Sequence, residues 1–469
     1  MKNIVHSQNE HKISAVEITP EKMVSRGGLA LVLRYIDRTG VLELVEKTVG
    51  HLRYSGKGKP VRAIVRQILS AFIDGTDNTM KGFDTRHKSP EHAALLESDA
   101  EELVSGGSVR RFFGKFVGYR YALWRTVLHR MFIWRLQREK PKHISLYVDT
   151  MVLDNDGALK REGCKPTYKK KKGFQPLHIH WGPYIVDVEF RSGEKHSNYQ
   201  QRAVQAVARL VRLVRQQYRG DIPIVVCCDS GFLSEDNFNA FEKLGVHYVG
   251  MGKLYDYLYE PLEGVDHNTL PTVQGTKAAW AYYEFGSRFK SGKNNRFRRT
   301  IFTTICQEGE QTVLRGTRPD SFIHTNLGCN DTLDAQLRAA GGAYLLEAPA
   351  VISQAHSNGL EELNHRSIKE FMGSEHLPFK RFGMNAAYYY LMVLAHFITE
   401  AFRKDVAEDV IPQRCYPSRL RRVLIDFAAK IIRSGGKTIM KVTETVFEGI
   451  HIHVLWQRCN NPPLPIGAW

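Results

Sequence analysis

Apolar residues recur at helical spacing through most of residues 1–140. The clearest stretch is VRAIVRQILSAFIDG, which Pro60 opens and Gly75 ends. Ser108 is placed to cap a further helix that begins VRRFFGKFVGYRYALWRTVL and is rich in aromatic and basic residues. The pattern therefore predicts a helical N-terminal region over residues 1–140.

The pattern changes after Pro141. HISLYVDTMVLD reads as a strand, and PLHIHWGPYIVDVEFRSG reads as two strands around a Gly-Pro turn. An amphipathic helix is predicted over residues 199–218, and IPIVVCC is a short apolar strand that leads into Asp229. The helix NFNAFEKLG and the strand VHYVGMG follow. This order predicts a buried central sheet over residues 141–251, the first part of an α/β core.

The remainder of the chain divides into three further regions. Residues 252–330 contain short strand patterns and are predicted to be a mostly β insertion. Residues 331–410 are predicted to be helical and to complete the core. Residues 411–469 are predicted to form a helix, SRLRRVLIDFAAKIIRSGG, followed by strands at TIMKVTE and GIHIHVLW.

Charge and cysteine content narrow the class of protein. The chain has 66 Lys and Arg against 49 Asp and Glu, a net charge of +17 that favours a polyanionic partner. Seven cysteines without a Cys-x-x-Cys pair argue against a disulfide framework or a zinc site. Without an apolar run of membrane-spanning length or a signal-peptide pattern, we expect a cytoplasmic, nucleoid-associated protein with no membrane partner.

Three acids stand out by position. Asp149 follows the apolar run ISLYV, and Asp229 follows IPIVVCC. An acid at the end of a buried strand is costly to desolvate unless it binds a cation or a donor. A third acid, Glu362, falls on a predicted helix. Such oxygen ligands suit Mg²⁺ or Mn²⁺, although each acid is equally compatible with a cap, a turn or a salt bridge.

Several segments resemble the insertion-sequence DDE transposases, in the branch where a β insertion separates the second Asp from the Glu. They are VDTMVLDNDG, GFQPLHIHW, CCDSGF and HSNGLEELNHRSIKEFMGSEHLPFKRFGMNAAYYYLMVLAHFITEAF. The resemblance implies an α/β fold, in which a helical DNA-binding domain precedes an RNase H-like catalytic core with a mostly β insertion. It implies that Asp149, Asp229 and Glu362 bind metal. It also implies that Lys369, seven residues after Glu362 on the same helix face, belongs to the catalytic site and meets a DNA phosphate.

The resemblance also implies the activity. A homodimer would bind terminal inverted repeats and target DNA, and would use Mg²⁺ (with Mn²⁺ possible) for strand cleavage and strand transfer. Passage through a DNA hairpin is a hypothesis. Two alternatives stay open: a catalytically impaired or domesticated transposase that acts as a repressor, and another RNase H-like nuclease. The first is motivated by Ala355 and Asn358, which stand where the family has Tyr and Arg.

The candidate DNA contacts are basic residues that lie in charged runs of the sequence or close in sequence to one of the three acids. In the insertion, Phe289 and Phe297 are interleaved with arginines and could stack on unpaired bases. Glu361 lies about 100° around the helix from Glu362 and is expected to point elsewhere. The full set of candidates is Arg110, Arg111, Lys169, Lys170, Lys171, Lys172, Arg288, Arg296, Arg298, Arg299, His365 and Arg366.

Overall fold

The computed structural model covers most of the chain. Side chains are described throughout these ranges except at 359–362 and 372, where only the backbone is described. The described residues are 16–53, 58–158, 160–275, 278–289, 296–314, 316–356, 359–372, 376–411, 415–462 and 464–467.

The N-terminal region is helical, as predicted. Helix 61–74 begins after Pro60 and ends at Gly75, whose φ of 69° is in the left-handed region. Ser105, not Ser108, caps the later helix, and the predicted single helix is two helices, with Gly118 (φ 57°) in the connection. The elements are β1 (Lys22–Val24), α1 (Leu29–Thr39), α2 (Val41–Val49), α3 (Val61–Asp74), α4 (Met80–Arg86), α5 (Pro90–Leu95), α6 (Gly106–Phe113) and α7 (Leu123–Glu139).

The first part of the core follows the predicted order of strands and helices. Its elements are β2 (Ile144–Thr150), β3 (Leu153–Asp154), β4 (Lys165–Pro166), β5 (Lys172–Phe174), β6 (Leu177–Trp181), β7 (Tyr184–Glu189), α8 (Arg202–Gln217), β8 (Ile224–Cys228), α9 (Glu235–Lys243) and β9 (His247–Met251). Five strands lie in the order β7-β6-β2-β8-β9. Strand β2 is antiparallel to β6 and parallel to β8, which is parallel to β9. Strands β3, β5 and β4 form a separate small sheet.

The region over residues 252–330 is mostly β in its regular structure, and it extends the sheet formed by residues 144–251. Its elements are β10 (Thr272–Gln274), β11 (Ala278–Ser287), β12 (Arg298–Glu308), β13 (Gln311–Thr312) and β14 (Ser321–Thr325). Strand β14 pairs antiparallel with β9, and β12, β11 and β10 continue outward from it. The core and the insertion therefore share one mixed sheet of ten strands.

The last part of the chain wraps a central helix. Helix α13 is buried from Met384 to Arg403. Because it is enclosed on all sides, its sequence is mostly apolar around the whole helix. It packs against α3, α7, α12 and β7. The elements are α10 (Asp331–Ala339), α11 (Ala348–Ala355), α12 (Gly359–Met372), α13 (Phe382–Asp405), α14 (Pro417–Leu420), β15 (Ala429–Ser434), β16 (Lys437–Lys441), α15 (Glu444–Gly449) and α16 (Ile452–Asn460).

The C-terminal region differs from its prediction. The predicted helix SRLRRVLIDFAAKIIRSGG is helical only at its start, and its second half is strand β15 of a hairpin that turns at Gly435 and Gly436. GIHIHVLW is mostly helical, because Ile452, Leu455 and Cys459 form the buried side of α16, which packs on α1. None of the described helices is long and apolar enough to cross a membrane.

Candidate active site

Two acidic side chains meet at the ends of neighbouring parallel strands. In the pairing of β2 with β8, Tyr147 lies opposite Cys227 and Val148 opposite Cys228. The next residue in β2 is Asp149, and the residue directly after the end of β8 is Asp229. Both acids therefore lie at the same edge of the sheet, as expected for parallel strands whose carboxyl ends coincide.

The environment raises the pKa of both carboxyl groups. Loss of water around Asp149 raises its pKa to about 7, and the nearby charge of Asp229 contributes in the same direction. The Asp229 side chain is exposed to solvent, yet the protein atoms around it remove enough water from its carboxyl group to raise its pKa. Each carboxylate accepts a backbone hydrogen bond, Asp149 from Thr150 at 2.6 Å and Asp229 from Gly231 at 2.9 Å. Two desolvated acids side by side favour a bound cation.

Helix α12 lies against this pair of acids. The Nδ1 atom of His365 is 3.5 Å from an Asp149 carboxylate oxygen. The Glu362 side chain lies outside the described residues, but its helix position is about 60° from His365 and about 20° from Lys369. Glu361 is about 40° and about 80° from the same two residues. Of the two helix positions, 362 is therefore the nearer to Lys369 and 361 the nearer to His365.

Two lysines and one tyrosine share the electrostatic environment of the acids. Desolvation lowers the pKa of His365 to about 4, and the charges of Lys369 and Lys169 contribute in the same direction. Lys169 is also close enough to offset part of the rise in the pKa of Asp149. Tyr168 is 64% exposed, and its pKa is raised by desolvation and then by the charges of Asp149 and Asp229. The β4–β5 connection thus brings Tyr168 and Lys169 to the site. Tyr168 is absent from the sequence-based candidates, although it adjoins the lysine run.

The other lysines of that run are exposed. Lys170 has a φ of 58° in the β4–β5 connection. The amino group of Lys171 lies 3.8 Å from Asp154 and 3.5 Å from Asp156, so part of its charge is balanced locally. Lys172 begins β5. The run therefore has one member, Lys169, in the electrostatic field of the acids.

Two of the four candidate arginines in the insertion are structural. Arg298 is 5% exposed and bonds to the Tyr248 hydroxyl at 3.1 Å. It also forms ion pairs with Glu235 and Glu242 at 3.6 and 3.5 Å, so it is corrected from a DNA contact to a buried ion-pair residue. Arg299 pairs with Glu284 at 2.7 Å and donates to two backbone carbonyls.

The remaining insertion candidates are on the surface. Arg288 lies over the ring of Phe297 at 3.8 Å, and Phe297 is 66% exposed. Arg296 is exposed and pairs with Glu242 at 2.9 Å. Phe289 is partly buried and packs near Phe238 and His324, with ring centroids 5.9 and 5.2 Å away.

Arg110, Arg111 and Arg366 are also on the surface. Arg110 and Arg111 lie in the last turn of α6, not at a helix start, and both are exposed. Arg366 stacks on Tyr416 at 4.0 Å and lies 3.7 Å from Glu370. None of these contacts tests DNA binding, which stays a prediction for all three arginines.

Ala355 and Asn358 are the two positions that depart from the family pattern, and the structure describes only the first of them. Ala355 is 5% exposed and packs in the apolar cluster that contains Val225 and Cys227 of β8. Asn358 lies outside the described residues. His356, the nearest histidine to them, stacks on Trp280 of β11 with ring centroids 4.6 Å apart. It therefore packs on the insertion strands.

Three histidines lie beside the acids, and only His365 was among the sequence-based candidates. His178 and His180 lie on β6, and one ring nitrogen from each of them and from His365 falls within a group no wider than 4.8 Å. His178 also lies directly opposite Asp149 in the β2–β6 pairing. The signal that could have found His178 and His180 is the His-x-His spacing in a strand, which places both side chains on one face.

Comparison with known families identifies the class of the protein. The family model described as "Transposase DDE domain group 1" matches residues 6–460. The chain therefore belongs to the DDE transposase family. It is a phosphodiester-cleaving enzyme of DNA transposition, and transposases of this family generally use divalent metal ions.

Curated proteins and solved structures do not add to this family assignment. No curated protein matches this chain. Among solved structures, the transposase is similar to a cryo-EM structure of the piggyBac transposase synaptic complex with hairpin DNA, at 13% sequence identity and a TM-score of 0.38. That likeness covers 94% of this chain and 83% of the other. Family membership rests on the family model alone.

Proposed function

We propose that this transposase binds the terminal inverted repeats of its own mobile element and cleaves DNA in an active site formed by Asp149, Asp229 and Glu362. The observation that carries the proposal is the position of Asp149 and Asp229 beside each other, each directly after the last paired residues of β2 and β8. The strand order β7-β6-β2-β8-β9, with its first three strands antiparallel and its last three parallel, supports an RNase H-like core.

The donor set fits Mg²⁺, with Mn²⁺ as a substitute. Asp149 and Asp229 supply carboxylate oxygens, which both ions prefer, and desolvation makes the paired carboxylates costly without a cation. Glu362 would supply the third carboxylate from α12. When bound, such ions activate water and neutralise charge on the attacking and leaving oxygens of a phosphodiester.

The remaining groups of the site position DNA. Lys169 and Lys369 supply positive charge beside the acids, where a scissile phosphate would lie. His365 contacts Asp149 and holds α12 next to β2. The freed 3′-hydroxyl would then attack target DNA at the same carboxylates, since phosphoryl transfer depends on positioning and charge neutralisation more than on covalent chemistry.

The exposed cations outside the site would bind the DNA backbone. Arg110 and Arg111 project from α6, and Arg288, Arg296 and Arg366 are exposed on other elements. A net charge of +17 supports such contacts. Because two element ends must be brought together, we propose that the active form on DNA is a homodimer.

Cleavage of a labelled duplex that carries the element's own end tests the proposal. We expect the wild type with Mg²⁺ to cut at the end and Asp229→Asn to bind the duplex without cutting it. Asp236→Asn is the matched control, because Asp236 is an exposed acid on α9, and it should cut like the wild type. Tight binding by the wild type without any cutting would overturn the proposal in favour of a DNA-binding repressor.

A further inference from the structure

Three histidine rings converge beside the carboxylates. His178 and His180 project from the same face of β6, since they are two residues apart on a strand. His365 comes from α12. The ring centroids are 5.4–5.5 Å apart in all three pairs, and a ligand nitrogen from each ring lies within 4.8 Å of the other two.

One nitrogen of each ring contacts a polar group. The Nε2 atom of His178 is 2.8 Å from the Tyr389 hydroxyl. The Nδ1 atom of His180 is 3.1 Å from the side-chain amide of Asn364. The Nδ1 atom of His365 is 3.5 Å from Asp149. Each ring is thus oriented through a single nitrogen.

The second nitrogen of each ring is buried and has no hydrogen-bond partner among the described residues. These atoms are Nδ1 of His178, Nε2 of His180 and Nε2 of His365. A buried polar atom without a partner costs free energy, and three such atoms in one place call for an occupant. Histidines that bind metal through one nitrogen typically bond a carboxylate, carbonyl or hydroxyl through the other, which is the arrangement seen at His178 and His365.

We propose that His178, His180 and His365 together bind one transition-metal ion, with Zn²⁺ as the favoured species. Imidazole nitrogens suit Zn²⁺ and neighbouring first-row ions, whereas Mg²⁺ prefers oxygen. Nitrogens bound at about 2.0–2.1 Å in tetrahedral geometry are about 3.4 Å apart, so the three rings must draw together on binding. The Asn364 amide must turn its oxygen toward Nδ1 of His180 and give up its hydrogen bond to the Gly182 carbonyl, so that Nδ1 carries the proton and Nε2 is free for the metal.

The site would fix the catalytic helix. Its ligands come from β6 and α12, and α12 also carries Glu362 and Lys369. A metal held by both elements ties α12 to the sheet beside Asp149. It is distinct in donor chemistry from the carboxylate site, and it stands or falls independently of the proposed DNA cleavage.

Cobalt binding to the full-length protein, purified without a polyhistidine tag, tests the proposal. We expect the wild type to bind one Co²⁺ with a visible absorption band of nitrogen-rich, low-coordinate geometry. His180→Gln should weaken Co²⁺ binding about 100-fold or more. His324→Gln, which alters a buried histidine of the insertion, and Asp229→Asn, which disables the carboxylate site, should both retain the band.

X-ray absorption of the Zn²⁺-loaded wild type tests the ligands without any variant. A first shell with three imidazoles supports the site, and a shell of oxygens alone overturns it. Absence of the Co²⁺ band in the wild type, or an unchanged band in folded His180→Gln, also overturns it. Loss of DNA cleavage in Asp229→Asn while the band persists would separate this site from the proposed catalytic centre.

Discussion

The two halves of the ten-stranded sheet, the core half (β2 and β6–β9) and the insertion half (β10–β14), differ in how their charged side chains are paired. At the core half, Asp149 and Asp229 lie side by side, desolvation raises the pKa of both carboxyl groups, and the charge of Asp229 raises that of Asp149 further. In the insertion half, Arg298 and Arg299 each lie beside a carboxylate partner. Charge that is left unbalanced costs stability and marks a binding site, whereas balanced charge holds the fold together.

The largest effect expected at the core half comes from Glu362→Gln. Removal of a metal-binding carboxylate should lower the rate of end cleavage on the order of 10³-fold, equivalent to about 4 kcal/mol of transition-state stabilisation. Single-turnover cleavage of the element-end duplex measures it. Binding of the duplex should change little, because the carboxylate acts on metal and not on DNA.

Glu361→Gln is the matched control for that experiment. It removes the neighbouring glutamate from the same turn of α12, at a position about 40° from His365. We expect nearly wild-type cleavage. If Glu361→Gln abolishes cleavage and Glu362→Gln does not, the third carboxylate has been assigned to the wrong residue.

The carboxylate pair was predicted from the sequence, whereas the convergence of the three histidines was not. Asp149 and Asp229 each end an apolar run, and parallel strands bring such ends together. His178 and His180 alternate with Leu177 and Ile179 on a strand that is buried on both faces, so they read as ordinary strand residues. The cysteine spacing argued against a zinc site with cysteine ligands, but it gives no information about a site made of histidines.

At the insertion half, Arg298→Met should destabilise the fold by about 3–5 kcal/mol. The change leaves Glu235 and Glu242 without their buried cation, and an uncompensated buried charge is expensive. Urea denaturation measures the free energy of unfolding. Arg296→Met is the control, since the Arg296 side chain is 66% exposed and its pair with Glu242 is worth about 1 kcal/mol or less. Equal effects of the two substitutions would contradict the structural role of Arg298.

Acidity should weaken Mg²⁺ binding at the core half. The pKa of Asp149 is about 7 in the metal-free protein, so a proton must leave before the metal binds. We expect about tenfold weaker Mg²⁺ binding at pH 6 than at pH 8, measured by calorimetry. A pKa above its ordinary value means that Asp149 lowers stability as pH rises from about 4 to about 7, and Asp149→Asn should remove that contribution. An Mg²⁺ affinity that is the same at both pH values would contradict the desolvation argument.

The fold was predictable where the hydrophobic pattern had one reading. Strand β8 and helix α8 lie where the pattern put them, because a short apolar run and an amphipathic stretch have distinct periods. The tail was ambiguous. GIHIHVLW alternates like a strand, yet Ile452, Leu455 and Cys459 also have helical spacing, and packing on α1 decides between the two. The Gly435-Gly436 pair that turns the β15–β16 hairpin was a usable signal.

The smallest effect comes from single lysines of the β4–β5 connection, and it tests whether unbalanced charge marks the DNA surface. Lys169 lies in the field of Asp149 and His365, whereas Lys171 is near Asp154 and Asp156. If Lys169 contacts a phosphate, Lys169→Ala should lower the slope of log affinity against log salt by about 1, uniformly across DNA sequences. Lys171→Ala should leave the slope nearly unchanged, because its charge is already partly neutralised. Equal changes in both variants would mean that the local carboxylates do not decide which lysine binds DNA.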